Sequence, residues 1–208
     1  MNSKEKKEQI FRTKRTVFVL ISGKAGVGKT TLGEYLTKKL SSIKGITVLH
    51  TAFAYPLKRI ATSVFGWDGN KDSKGRRLLQ VIGTEAGREY NENIWVKKTL
   101  DFALTSSIFP PNFVIIDDWR YPNECTYIED QKVHDVITIR VEAPNREILK
   151  GTPEYNHISE TSLPDGYNDL GSWNDLYGFV VNNKKDLGVL YLQGSKIIKY
   201  LEESFILE

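Results

Sequence analysis

A chain of 208 residues, 40% hydrophobic and 26% charged, is long enough for one domain with a sizeable core. A single cysteine rules out a disulfide framework and a cysteine-based zinc site, and it points to a reducing, cytoplasmic setting. The net charge of +3 sits at the front, where Met1–Arg15 carries +4 and the remainder −1, and no apolar run approaches the roughly 20 residues that span a bilayer.

In chain order, the opening "MNSKEKKEQIFRTKR" interrupts its basic residues with carboxylates. It is expected to be a solvated tail over residues 1–14, rather than a nucleic-acid arm, a signal peptide or a membrane anchor. A single domain is expected over 15–208. "TVFVLIS", Thr16–Ser22, is a continuous apolar run, which predicts a strand buried on both faces as in a parallel sheet. "GKAGVGKT", Gly23–Thr30, fits G-x-x-x-x-G-K-[ST] and lies where that motif belongs, between a strand and a helix. Its physical task is to cradle phosphates. The backbone of Gly23, Ala25, Gly26, Val27 and Gly28 turns successive N–H groups towards the phosphate oxygens. The helix that begins at Lys29, Thr30 and Thr31 adds its positive end. Lys29 reaches the β- and γ-phosphates and Thr30 ligates magnesium, so a nucleoside triphosphate such as ATP, with Mg2+, is the expected cofactor.

The helix continues with Leu32, Tyr35, Leu36 and Leu40 at helical spacing. "GITVLHTA" predicts the second strand. A polar, largely helical interval follows, and residues 53–98 read as an inserted lobe. It contains "FAYPLKR", with Lys58 and Arg59, and "LLQVIGTEAGREYNENIWVKK", with Gln80, Thr84, Glu85, Arg88 and Trp95. "FVIID", Phe113–Asp117, predicts the third strand and runs into "DWRYPNE". "HDVITIRVEA", His134–Ala143, predicts the fourth. Residues 144–174, rich in Gly, Pro, Asn and Ser, read as a lid. "YGFVVNN", Tyr177–Asn183, predicts the fifth strand. Strands alternating with helical segments give an α/β fold with a five-stranded parallel sheet flanked by helices.

Adjacent strand residues face opposite sides, so Asp117 and Asp118 separate, and Arg120 shares a face with Asp118 if the extended geometry continues. That selects Asp118 with Arg120 for the reaction centre. Asp118 is the first choice as magnesium ligand and Asp117 the second. "NKKD", Asn183–Asp186, matches the base-reading element of a GTP-binding switch, but "DDWRYPNE" lacks the glycine on which a switch loop hinges. The other reading of "NNKKD" is a strand-to-helix turn with Asp186 at the positive end of the helix. A small-molecule kinase accounts for more of the chain. It needs an acceptor site in line with the γ-phosphate, and its catalysis is positioning and charge neutralisation.

The pieces "GKAGVGKT", "FAYPLK", "GTEAGRE", "IWV" and "DDWRYPNE", with a fainter "HISE" and the closing "FVVNN", resemble in order and spacing the phage-type deoxynucleoside monophosphate kinases. The likeness runs from Val17 to the final helix. It implies a P-loop nucleoside monophosphate kinase fold in a host cytoplasm, transferring the γ-phosphate of ATP to a deoxynucleoside 5′-monophosphate. It further implies that Lys58 and Arg88 bind the acceptor phosphate. Phe53, Gln80, Thr84 and Glu85, with Trp95, would shape the base and sugar pocket. Arg120 would bind the phosphate in transfer, and Arg146 would close on the triphosphate, with Arg140 and Lys150 behind it as candidates. His157 in "HISE" takes a structural or substrate-contacting role. Two departures stand out: Tyr55 replaces a residue that is often acidic in the family, which bears on base preference, and the lid has few arginines. Animal phosphomevalonate kinases share the scaffold and an Asp-x-Arg element, and they are the nearest enzymatic alternative. Nucleotides are the expected partners, and a homodimer is compatible with the resemblance.

Overall fold

The computed structural model describes residues 15–105, 110–143, 151, 157–166, 174–183 and 186–206. Arg146, Lys150, the tail 1–14 and most of the interval 144–174 lie outside the described residues. Five strands, β1 (Val17–Ser22), β2 (Val48–Thr51), β3 (Phe113–Trp119), β4 (Asp135–Glu142) and β5 (Phe179–Asn182), form one parallel sheet in the order β2-β3-β1-β4-β5. Helices α1 (Lys29–Ser41), α2 (Tyr55–Phe65), α3 (Ser73–Gln80), α4 (Ile94–Thr105), α5 (Pro122–Glu129), α6 (Ile158–Thr161) and α7 (Leu187–Phe205) surround it. This is the expected α/β architecture.

Alternation along β1 explains both hydrophobic layers. Val17, Val19 and Ile21 pack against Leu32, Leu36 and Leu40 of α1 and Leu190, Ile197 and Leu201 of α7. Phe18 and Leu20 face the other way, towards Val96 and Leu100 of α4 and Cys125 and Ile128 of α5. Every residue of β1 is buried, which is why its sequence is a continuous apolar run rather than an alternating one. No described helix is long and apolar enough to cross a membrane.

β3 runs two residues further than the sequence predicts, through Asp118 and Trp119. Its pairing with β1 shifts between Leu20 and Ser22, so that Ser22 meets Trp119. Trp119 is buried in the second layer, edge-on to Tyr177, and its indole N–H donates to the Tyr121 carbonyl at 2.8 Å. Burial of that ring carries the strand past the two carboxylates.

The inserted lobe has its own small core of Leu57, Ala61, Ile82 and Trp95. α3 continues into a π-helix, Val81–Arg88. The glycines of "GTEAGRE" now have reasons. The Gly83 carbonyl accepts from the Trp95 indole N–H at 2.7 Å, and a Cβ on Gly87 would lie 2.6 Å from the Trp95 ring and 2.7 Å from the Ile82 carbonyl. Trp95 therefore pins the π-helix to α4.

Candidate active site

β1, β2 and β3 end at the same edge of the sheet, where ligands bind in open α/β folds. A cavity of about 500 Å³ opens there, between the phosphate loop and the inserted lobe. Ala25, Gly26, Lys29 and Thr30 form one wall, and Phe53, Lys58, Gln80, Thr84, Arg88 and Trp95 another. Asp117, Asp118 and Arg120 line it at the end of β3. Separate stretches of sequence thus meet in one concave site.

The loop wraps as the motif demands. Gly23 and Gly28 have φ of 144° and 105°, in the region that L side chains avoid. A Cβ on Gly23 would lie 2.4 Å from the Val141 carbonyl oxygen, and one on Gly28 would lie 2.6 Å from Asn183 Nδ2. Val27 is buried in the core, and its carbonyl accepts from Asn183 Nδ2 at 2.8 Å, so its contribution to the cradle is backbone alone. Gly28 caps α1 without any side-chain hydrogen bond, which leaves the first N–H groups of the helix for a ligand. Lys29 Nζ lies along the loop and donates to the Gly23 and Lys24 carbonyls at 2.8 Å each. Burial, reinforced by the Arg120 charge, lowers the Lys29 pKa to about 8, so Lys29 and Arg120 face the same small volume. Thr31 lies on α1 behind this surface and does not line the cavity.

The two carboxylates of β3 do separate, but in the order opposite to the one expected. Both oxygens of Asp118 are engaged by backbone: Oδ1 accepts from Phe53 N–H at 2.6 Å and Oδ2 from Ala54 N–H at 3.0 Å. Asp118 therefore ties the start of α2 to the sheet, and burial pushes its pKa up against the pull of those amides. Asp117 faces the phosphate loop. Burial raises its pKa, but hydrogen bonds from His50 and Thr30 outweigh that and leave it below the ordinary carboxylate value. His50 Nε2 lies 3.5 Å from Asp117 Oδ2. Thr30 helps to lower the pKa of Asp117, not that of Asp118, and both Thr30 and Asp117 line the cavity. That donor set suits magnesium, which takes one or two protein oxygens and fills its shell with phosphate and water.

The lobe supplies cations. Gln80, Thr84 and Arg88, four apart, line the cavity along one face of the π-helix and the turn before it. Glu85 falls on the other side, exposed and paired with Arg77, so its expected place in the base pocket is not what the structure shows. Arg88 lies with its guanidinium carbon 3.8 Å from the Tyr121 ring centre and donates to Glu124 Oε1 at 2.6 Å. The other oxygen of Glu124 accepts from Arg120 and Tyr121 N–H at 2.9 and 3.1 Å, which caps α5. Lys71 and Arg76 join Lys58 at this wall. Among the described residues none of the three has a carboxylate within salt-bridge distance, and burial together with the Lys58 and Arg76 charges lowers the Lys71 pKa. Sequence reasoning missed Lys71 and Arg76, which lie in a polar stretch without a motif, as well as His50 and Tyr121.

Arg140, a candidate for closing on the triphosphate, is buried away from the cavity and donates to Asp165 at 2.8 Å. Tyr55 packs on Phe102 with ring centres 5.0 Å apart. Asp186 Oδ1 accepts from Val189 N–H at 3.0 Å as the N-cap of α7, so the strand-to-helix-turn reading describes this carboxylate. His157 lines the cavity and caps α6, its Nδ1 accepting from Ser159 N–H at 3.2 Å. Burial pushes the Cys125 thiol up to about 12, which leaves it a structural residue.

Glu124 makes a pH prediction. Burial raises it to about 7, against the pull of Arg88, from 4.5 in an ordinary setting. The folded carboxyl holds its proton to higher pH than the unfolded one. Its contribution to stability is therefore full below about 4.5 and is lost as pH rises through 7. The stability of the wild type relative to Glu124→Gln is expected to fall by on the order of 3 kcal/mol over that window. Denaturant melts at several pH values measure it, and a gap that does not change with pH contradicts this account of the pair.

No protein-family model and no curated protein matches this chain. Solved structures do. One described as APE1195 superimposes with a TM-score of 0.52 at 12% identity, covering 92% of this chain and 98% of that one. The Mycobacterium tuberculosis APS kinase in complex with AMPPNP and APS gives 0.49 at 13%, covering 90% and 98%. A thymidylate kinase from Ehrlichia chaffeensis gives 0.43 at 19%, covering 90% and 99%. Identities this low speak for the fold alone, a five-stranded parallel sheet flanked by helices.

Proposed function

We propose that this chain, built on the fold of P-loop kinases, transfers the γ-phosphate of ATP to a deoxynucleoside 5′-monophosphate and yields the diphosphate and ADP. One observation carries the reading: a single cavity joins the phosphate loop to a wall bearing Lys58, Lys71, Arg76 and Arg88. An anionic acceptor held by that wall faces Lys29 and Arg120 across the cavity. Phe53, Leu57, Leu79, Trp95 and Tyr121 give the wall apolar and aromatic surface suited to a base. Phosphomevalonate, which carries no base, has no use for that surface.

In this mechanism the loop amides and Lys29 hold the β- and γ-phosphates. Thr30 and Asp117 would hold magnesium, which would neutralise phosphate charge when bound. Lys29 and Arg120 compensate the charge that develops on the transferred group. The acceptor is already an ionised phosphate, so a general base has little to remove. Asp118 ties the start of α2, and with it Lys58, to the end of β3.

Arg88→Gln is expected to raise the Michaelis constant for the acceptor at least about tenfold while leaving that for ATP within about twofold, as loss of one charge-assisted contact to phosphate implies. Glu124, with a pKa near 7, can take up a proton when Arg88 is gone, which limits the loss of stability. Equal effects on both constants would place Arg88 outside the acceptor site. The function itself is tested by ADP release with ATP and each deoxy- and ribonucleoside monophosphate in turn, with phosphomevalonate as the rival acceptor. Turnover only with phosphomevalonate overturns the reading.

A further inference from the structure

The motif "HISE" has found a fold but not yet a task. Its last residue, Glu160, lies in α6, and its side chain is only 7% exposed. One carboxylate oxygen, Oε2, accepts from the Ala25 backbone N–H of the phosphate loop at 3.0 Å. The other, Oε1, is paired with the Arg120 guanidinium, which also donates to the Ser159 carbonyl at 2.9 Å. A single anion from α6 thus bridges a loop amide and the arginine at the end of β3. Those are two of the groups that the proposed reaction assigns to the phosphate in transfer, so the inference rests on that reading.

A carboxylate and a phosphoryl group are both oxygen anions that take charge-assisted hydrogen bonds from N–H donors. One Ala25 N–H and one side of the Arg120 guanidinium cannot serve both at full strength. If both anions stayed, they would face each other within a buried volume, where like charges repel most. His157 and Ser159 give the carboxylate a defined seat: His157 Nδ1 accepts from Ser159 N–H and contacts the Ser159 hydroxyl at 2.8 Å, which fixes the turn that delivers Glu160.

We infer that Glu160 is an internal competitor for the γ-phosphate, a carboxylate that holds Arg120 and the Ala25 amide until the triphosphate displaces it. The phosphate brings more charge and more acceptor oxygens than the carboxylate, so displacement is favourable but partly offset. A site guarded in this way binds ATP less tightly than its donors allow, and it presents Arg120 to phosphate only once Glu160 has left.

The test is isothermal titration of ATP and ADP, each with magnesium, into the wild type and into Glu160→Gln and Glu160→Ala. Glutamine keeps the size and a hydrogen-bonding oxygen but drops the charge, and matched thermal melts certify its fold if alanine fails to fold. Glu160→Gln is expected to bind ATP about tenfold more tightly and ADP, which lacks the contested phosphate, within about twofold of the wild type. Unchanged or weaker ATP binding by Glu160→Gln overturns the inference and makes Glu160 an ordinary support for Arg120, while leaving the kinase reading intact. Equal tightening of ATP and ADP also overturns it, because the competition would then not be at the γ position. If neither protein binds either nucleotide, the phosphate-loop reading itself fails, and this inference fails with it.

Discussion

Replacing Lys29 by alanine is expected to lower turnover by about 10²–10³-fold, with a melting temperature close to that of the wild type. The size follows from the position. Lys29 Nζ is held between the Gly23 and Lys24 carbonyls, beside the first N–H groups of α1 and opposite Arg120. In the proposed reaction, charge on the transferred phosphoryl group develops in that gap, beside a partly buried lysine, where each charge counts for more than it would in bulk. The small effect on stability follows from the same contacts. The two carbonyls belong to the loop itself, and burial opposes the lysine charge, so removing the ammonium relieves about as much as it loses. Lys29→Met, which keeps the apolar stem, separates the charge from the packing and is expected to match alanine in turnover. Wild-type turnover in either variant would remove the phosphate loop from the reaction.

The sequence revealed this half of the site because it is local. The strand, the loop and the helix start are consecutive, and the glycines are needed by backbone geometry that a motif records. The acceptor half was legible only in part. Gln80, Thr84 and Arg88 were found, but Glu85 was grouped with them although it faces solvent. The reason is helical spacing, in which residues four and eight apart keep to one side and the neighbour of Thr84 is turned away from it. Lys71 and Arg76 lie in a stretch whose composition resembles any surface loop, and only the packing of α2 and α3 on Trp95 brings them to the cavity. Glu160 has no role that the "HISE" segment alone could show, because its partners Ala25 and Arg120 lie 135 and 40 residues away. No pattern within one segment encodes such a contact.

The pair Asp117–Asp118 gives the second large prediction, because alternation along a strand says that the two differ but not which does what. Asp117→Asn is expected to lower turnover by about 10²–10³-fold and to raise the magnesium concentration needed for half-maximal rate, with little change in stability. Its carboxylate lies 3.5 Å from His50 Nε2 and its pKa is lowered by His50, Thr30 and Lys29, and the amide that replaces it carries no charge for a cation. Asp118→Asn is expected to do something different. One oxygen still accepts a backbone N–H, but the new NH2 group meets the other amide donor with a donor. The Phe53–Ala54 backbone then loses one of its two anchors to the sheet, at roughly 1–3 kcal/mol of stability. α2 carries Lys58, so loosening its start is expected to raise the Michaelis constant for the acceptor and leave the magnesium requirement unchanged. Magnesium titrations and acceptor titrations on the two variants, run beside denaturant melts, distinguish the roles. If Asp118→Asn shifts the magnesium requirement and Asp117→Asn shifts only the acceptor constant, the ligand order read from the Asp118–Arg120 spacing is right and the one drawn from the hydrogen bonds is wrong. The hydrogen bonds favour Asp117: both oxygens of Asp118 are oriented by the backbone amides that tie down the start of α2, whereas Asp117 is the carboxylate influenced by Thr30 and Lys29.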